Sequence, residues 1–504
     1  MPADFKLQNY GEDMKKKILI FLGLCFSLLL VGCSDKLSYP KIVNTYNMDI
    51  TYIEEQQLVE GKVNVGYVNQ TDTTLSEAKF HLYPNAFREN SKASVVSLAN
   101  KDKAYPNGNS YGNITIKSVT LNGENKEIEI CGEDENILNV VFEKQLYPNE
   151  RVEIEICFQT KLANINHRLG YGKNCVNICN FYPVACVYDN GEYQTDLYNS
   201  NGDPFYSKVA NYNVNFTYPS DYILASTGVG EIASADGQNV ASIVAEGVRD
   251  FGIVISKNYQ ILSNEVNNIK INYFYHSDEN AEQSLKLANS VVEYFSENFG
   301  QYPYKELDVV ETNFVHGGME YPNLVLISDD LADYETYQNV IIHEIAHQWW
   351  YGVVGNDQYS NGWIDEGLAE FSTALFYDAC ADFELSREQI VRNATTSYAT
   401  FMRVYGDVLG EIDTSMNREL DEFATEPEYV YNTYTKGLLM FASLYELIGE
   451  DDFFDCLQYY YRTCAFLEAK PEDVIYCFSR ASGRDLSGFF NSWINGKVVI
   501  VMPE

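Results

Sequence analysis

The feature that most constrains the fold is a change of hydrophobic period partway along the chain. From about Tyr46 to Asn264, apolar residues alternate in short runs such as Lys62-Val63-Asn64-Val65-Gly66-Tyr67-Val68, Lys126 to Ile130 and Arg151 to Phe158, separated by turn clusters such as Asn122-Gly123-Glu124-Asn125. Alternation puts every second side chain on one face of an extended strand, so this half reads as β-structure. Around Glu282 the period lengthens. Leu285, Ala288, Val291, Val292, Phe295 and Phe299 fall on one helical face that stops at Gly300. Helical patterns recur at 339–351, 366–379, 436–448 and 453–463, and a last one ends near Trp493. The expected fold class is therefore α+β and multidomain, with a β-rich domain over 45–268 followed by a mainly helical domain over 269–504.

Length and composition agree with two cores. The chain has 504 residues, 46% hydrophobic and 14% aromatic, with only 13 Pro and 32 Gly, which is too long for one core and too apolar for disorder. Its 40 tyrosines favour β-structure. The charge is −37, from 35 Lys+Arg against 72 Asp+Glu. A polyanion of this size repels phosphate backbones, so no nucleic-acid partner is expected. The acidity reads as solubility outside the cell, with some capacity to enrich cationic peptides at low salt.

The first residues read as an address. Lys15, Lys16 and Lys17 precede an apolar run from Ile18 to Gly32, whose 15 residues fall short of a bilayer span. Residues 1–32 are read as a signal peptide. The ending Leu30-Val31-Gly32-Cys33 resembles the lipobox of bacterial lipoproteins, which implies a lipid on Cys33, a tether over 33–44 and an extracytoplasmic, membrane-anchored protein. Nine cysteines follow. Cys175, Cys179 and Cys186 lie close in sequence but lack knuckle spacing, so buried thiols or one local disulfide are expected instead.

The chemistry concentrates in His343-Glu344-Ile345-Ala346-His347. Residues i and i+4 share a helix face, so both imidazoles can reach one ion, while Glu344 sits beside that face as a base. In Trp363-Ile364-Asp365-Glu366-Gly367, Glu366 follows His347 after 18 intervening residues, at the start of the next helical pattern. A helix-loop-helix can fold back there and add a third ligand. Two histidines and a glutamate leave one position of a tetrahedral zinc open, as in catalytic sites. Glu370, one turn on, is either an acceptor for a ligand histidine N–H or a solvated charge.

These motifs, preceded by Gly317-Gly318-Met319-Glu320-Tyr321, resemble the aminopeptidase N family of zinc metallopeptidases, family M1, whose pattern is GxMEN, HExxH and a glutamate 18 residues on. Tyr434-Thr435-Lys436-Gly437 is similar to the family's Tyr-x-Lys-Gly segment. Phe80-His81-Leu82-Tyr83-Pro84 and Ala225-Ser226-Thr227-Gly228 are similar to stretches of its N-terminal domain. The resemblance runs from about 45 to 497. It implies a saddle- or sandwich-like β domain before a thermolysin-like catalytic domain, and one zinc per chain on His343, His347 and Glu366. Glu344 is implied to be general base and proton shuttle, and Tyr434 to donate its hydroxyl to the oxyanion. Glu320 is implied to hold the substrate's α-ammonium, with Gly317, Gly318 and Met319 forming the substrate-binding strand edge.

Together these imply an aminopeptidase that removes N-terminal residues from peptides. The sequence departs from the pattern twice. Tyr321 replaces the final Asn of GxMEN, and the chain stops at Glu504 without the family's large C-terminal helical domain. Two alternatives follow: an endopeptidase with an open cleft, or a catalytically silent peptide-binding lipoprotein.

Overall fold

The computed structural model describes residues 37–410, 412–498 and 500. The signal peptide and Cys33 lie outside the described residues, as does the tether before residue 37. From Tyr39 onward the chain forms one compact unit.

The runs at 62–68 and 151–158 enter an eight-stranded sheet in the order Val229–Ala235, Gln238–Val248, Ala210–Pro219, Asn44–Ile53, Leu58–Val68, Arg151–Lys161, Asn113–Leu121 and Glu124–Lys126. The run at 126–130 is not one strand: it breaks at Glu127 and Ile128, and Glu129–Cys131 joins a different, four-stranded sheet. All neighbours are antiparallel except Asn44–Ile53 beside Ala210–Pro219. In that parallel pair, Tyr212, Val214, Phe216 and Tyr218 face the core. Outward, Asn213 and Asn215 donate to Asn47 and Asp49 at 3.0 Å each, cross-strand pairs of the kind that contribute roughly 0.2–1 kcal/mol. Tyrosine fills the space beneath: the rings of Tyr46 and Tyr212 stack at 4.8 Å, and the Tyr182 hydroxyl donates to that of Tyr212 at 3.0 Å. Two four-stranded sheets and the two-stranded hairpin Tyr188–Asp189 with Glu192–Tyr193 complete the β-rich region.

A five-stranded mixed sheet follows, in the order Gln260–Val266, Ile269–Tyr275, Glu306–Thr312, Leu324–Ser328 and Gly318–Met319. Its central strands Glu306–Thr312 and Leu324–Ser328 are parallel and almost wholly buried, as expected where both faces are covered. The expected boundary at 268/269 falls inside the hairpin formed by the first two strands. By sheet membership, the change of layer comes between Ser256 and Gln260. A strand's alternation does not say which sheet it joins, so the sequence placed Gln260–Val266 with the strands before it.

Among the described residues, eight longer helices cover this sheet and build the rest: α1 (Ala281–Asn298), α2 (Tyr334–Ala346), α3 (Trp363–Ala379), α4 (Arg387–Leu409), α5 (Lys436–Ile448), α6 (Glu450–Cys464), α7 (Pro471–Ser482) and α8 (Ser487–Ile494). On α1, Leu287 takes the inner position expected of Leu285. Helices α4 and α7 lie outside the helical patterns read from the sequence. α4 opens on a capping box, in which the Ser386 hydroxyl and the Gln389 side chain each bond the other's backbone N–H. Among the described residues, no helix is long and apolar enough to cross a membrane, and the nine described cysteines are free thiols.

Candidate active site

Asp333 starts α2 by accepting the Thr336 N–H at 2.8 Å, and the helix closes on the motif itself: His343 lies in its last turn and His347 is its C-cap. The helical pattern had suggested a helix reaching Tyr351. The chain instead turns after His347, which lets it fold back and enter α3 with Glu366 in the first turn. The Nε2 atoms of His343 and His347 are 3.0 Å apart, and each is 3.2 Å from Glu366 Oε2. His347 Nδ1 is 2.9 Å from the Trp350 carbonyl. A carbonyl only accepts, so Nδ1 carries the proton and Nε2 presents its lone pair to the shared point. Glu370 Oε1 lies 3.5 Å from His343 Nδ1, on the side expected of a carboxylate that orients this ring.

This donor set suits a cation. Burial alone would raise the Glu366 carboxyl, but the neighbouring His347 and the bonds to both imidazoles hold it down to about 2. Two imidazole nitrogens and one carboxylate oxygen, converging within hydrogen-bond distance, form a metal-competent group of the composition found in open zinc sites. Buried Glu320, His347 and Asp365 form a second, overlapping group.

Tyr434 arrives from another helix by close backbone packing. A Cβ on Gly437 of α5 would lie 2.7 Å from the Gly367 Cα of α3, so only two glycines allow this crossing. It brings the Tyr434 hydroxyl to Glu366 Oε1 at 2.6 Å and lays its ring against that of His343, centroids 6.0 Å apart.

Strand Gly318–Met319 is the sheet edge, and its alternation sorts the expected substrate residues. Gly317, Gly318 and Glu320 line the cleft, while Met319 is wholly buried and does not. The space beside Gly318 is taken by Glu344, whose Oε1 is 2.3 Å from where a Cβ would stand, so this glycine makes room for the Glu344 carboxylate. Tyr321 also leaves the cleft. Its hydroxyl donates to Asn180 Oδ1 at 2.6 Å and its carbonyl accepts from Gln348 Nε2 at 3.1 Å. The residue that departs from the motif thus ties the strand edge to the β-rich region and to the residue after His347.

The cleft is about 270 Å³ and includes Arg168, Tyr198 and Asp203 from the β-rich region. Glu344 is 6% exposed, its Oε2 meets no hydrogen-bond partner, and burial with the nearby Glu320 charge pushes its carboxyl well up. Burial and the Asp203 charge likewise raise Glu320 to about 8. A substrate ammonium beside such a carboxylate would restore its ionised form.

Sequence reasoning missed several residues of this wall. Gln358 donates to Glu320 Oε1 at 2.7 Å and to Asp365 Oδ2 at 2.8 Å, tying the strand edge to α3. Arg168 holds Asp203 at 2.5 Å. Asp365 stood next to the ligand in the motif, but no signal marked Gln358, Arg168 or Asp203, which meet across long sequence separations.

Comparison with known proteins finds relatives in sequence and in fold. Aminopeptidase N of Streptomyces lividans is 25% identical over 240 residues, 44% of this chain and 27% of that protein. Aminopeptidase B of Rattus norvegicus is 31% identical over 232 residues, 41% of this chain and 34% of that one. The chain thus spans about a quarter to a third of the length of these curated relatives. Among solved structures, an M1 zinc metallopeptidase from Deinococcus radiodurans superposes with a TM-score of 0.64 at 15% identity, covering 92% of this chain and 95% of that one. A mutant of it bound to a Tyr-Ser-Ala substrate gives 0.61 at 14% identity, covering 92% and 96%. Residues 283–493 match the Peptidase family M1 domain, and the β-rich then helical fold around them is that of the M1 metallopeptidase structures.

Proposed function

We propose that this chain is a zinc-dependent aminopeptidase that hydrolyses N-terminal residues from peptides outside the cytoplasm. The observation that carries the reading is the convergence of His343 Nε2, His347 Nε2 and Glu366 Oε2 on one point, beside a buried Glu344, the Tyr434 hydroxyl and Glu320 in a single cleft. A zinc ion held by His343, His347 and Glu366 supplies Lewis acidity and lowers the pKa of a coordinated water.

The side chains do the rest. Glu344 takes the proton of the attacking water and returns it to the leaving amine, a role its place in the cleft between Gly318 and the two histidines favours. Tyr434 donates to the oxygen on which negative charge develops, in a buried setting where one such donor is typically worth a few kcal/mol. Glu320 receives the free α-ammonium and so sets the distance from the chain end to the scissile bond.

The reading is tested by offering one peptide with a free and an acetylated N-terminus, each with and without a zinc chelator, and following products by mass spectrometry. Chelator-sensitive stepwise loss from the free peptide alone is expected. Internal cleavage of both peptides would make the protein an endopeptidase. Glu344→Gln should abolish turnover while sparing zinc content, and unchanged activity would sink the mechanism. The basic-apolar-Cys33 pattern supports a lipid anchor. Cys33→Ser should release the protein from the membrane fraction, and continued sedimentation with membranes would refute the anchor.

A further inference from the structure

The backbone that carries Tyr434 is not a regular α-helix. Between the short helix Glu426–Val430 and α5, residues Tyr431–Thr435 form a π-helical turn in which the Lys436 N–H reaches back to the Tyr431 carbonyl. A π-turn holds one extra residue, so side chains on its two sides are rotated by roughly 100° relative to an unbroken α-helix. In the arrangement that the turn creates, the Tyr434 hydroxyl meets Glu366 at 2.6 Å. A widened turn has poorer backbone hydrogen bonding, and other groups must hold it.

Asn432 is such a group. It is fully buried inside the turn. Its Nδ2 donates at 3.0 Å to the carbonyl of Glu428, four residues back, where an α-helix would place a backbone N–H. Its Oδ1 accepts the Tyr398 hydroxyl at 2.8 Å. Tyr398 is itself buried on α4, the helix that grips the turn from outside. There Phe401 stacks on the Tyr431 ring at 4.3 Å, and Ser397 Oγ lies 3.1 Å from the Tyr431 hydroxyl. The amide is thus used at both ends, by the turn and by a neighbouring helix.

We infer that Asn432, held by Tyr398, is a positioning residue that maintains the π-turn and thereby aims the Tyr434 hydroxyl into the cleft. Its effect on rate rests on the reading of Tyr434 as oxyanion donor. Asn432→Leu keeps the side-chain size and loses both hydrogen bonds. Tyr398→Phe removes one hydroxyl, and serves if Asn432→Leu does not fold.

The experiment combines steady-state kinetics and zinc content of Asn432→Leu, Tyr398→Phe, Tyr434→Phe and the Asn432→Leu/Tyr434→Phe double variant with a crystal structure of Asn432→Leu, or of Tyr398→Phe in its place. Removing one oxyanion donor costs about 100-fold or more, so Tyr434→Phe should lower kcat by that factor. Asn432→Leu should lower kcat at least ~10-fold with KM changed less than ~2-fold and full zinc, and cost less than ~2-fold further once Tyr434 is phenylalanine. Tyr398→Phe should show the same pattern at smaller size. In the crystal, the Tyr434 hydroxyl should leave hydrogen-bond reach of Glu366.

A wild-type kcat in Asn432→Leu, or the same loss on both backgrounds, would overturn the inference. So would a crystal structure with the Tyr434–Glu366 bond intact. Tyr434→Phe at the wild-type rate would instead remove the reading of Tyr434, and the crystal structure would then decide the positioning by itself.

Discussion

Arg249 offers the sharpest test of how the β-rich region holds the active-site backbone. It is 1% exposed, and its guanidinium donates to Glu468 Oε1 at 2.8 Å and to the carbonyls of Tyr351 at 2.8 Å, Ser207 at 3.2 Å, Val353 at 3.3 Å and Leu467 at 2.5 Å. Arg249→Ala removes the partner of a mostly buried carboxylate and four acceptors at once. Breaking a buried pair from one side costs about 3–5 kcal/mol, and water entering the vacated space would re-satisfy part of the carbonyls. About 4 kcal/mol is a fair expectation. At an unfolding entropy of roughly 2 cal/mol/K per residue, a unit of this size has about 1 kcal/mol/K, so the thermal midpoint should fall by about 4 °C.

Tyr351 and Val353 follow directly on His347, whose Nδ1 is fixed by the Trp350 carbonyl. Loss of Arg249 should therefore also loosen the ligand's orientation and weaken zinc by about 10-fold, read by competition with a chromogenic chelator. Arg249→Lys should recover less than half of either loss, because one ammonium cannot span five acceptors in the plane of a fork. A midpoint within 1 °C of wild type together with unchanged zinc affinity would refute the reasoning.

Three further outcomes are expected. Gly437→Ala should force α3 and α5 apart, since its Cβ would meet the Gly367 Cα at 2.7 Å. Overpacking should cost about 1–3 kcal/mol, and kcat should fall more than KM rises as Tyr434 retreats; an unchanged kcat would show that the helices separate freely. Burial, reinforced by the Glu306 charge, raises the Asp308 carboxyl from 3.8 to about 7. A raised folded-state value means that its favourable contribution is complete below about pH 4 and lost as pH rises through about 7. Asp308→Asn should therefore gain on wild type by up to about 4 kcal/mol between pH 4 and 8, whatever its constant offset, while parallel stability–pH curves would refute this. Chelation should lower the melting midpoint and added zinc restore it, with about 4 kcal/mol of stabilisation at zinc a thousandfold above Kd; a zinc-dependent shift that survives in His343→Ala would place the metal elsewhere.

Local rules made much of this protein legible. The strand period of Arg151 to Phe158 and the helical period of α1 each reflect which side chains a single element can bury, and α5 came out at its observed limits, Lys436–Ile448. The candidate metal ligands were legible for the same reason. Residues i and i+4 share a face by helix geometry alone, and a glutamate opening the next helix needs only a turn to reach them. α4 is the exception: its apolar residues, with Tyr398, Ala399 and Phe401 among the buried ones, repeat at helical spacing, and this period is not among the helical patterns read from the sequence.

What the sequence by itself determined is therefore the set of groups that share an element or a motif: His343, Glu344 and His347, then Glu366, and the glycines beside them. Tertiary structure decided which distant groups meet. Gln358 joins Glu320 to Asp365, Arg168 brings Asp203 to the cleft, Arg249 clasps the loop after His347, and Tyr398 holds the turn that aims Tyr434. Tyr321 shows the difference most plainly: its identity departs from the motif, but its 2.6 Å bond to Asn180 spans 141 residues. Periodicity carries information over a few residues. A hydrogen bond between remote segments exists only once packing has removed water and brought its two ends together.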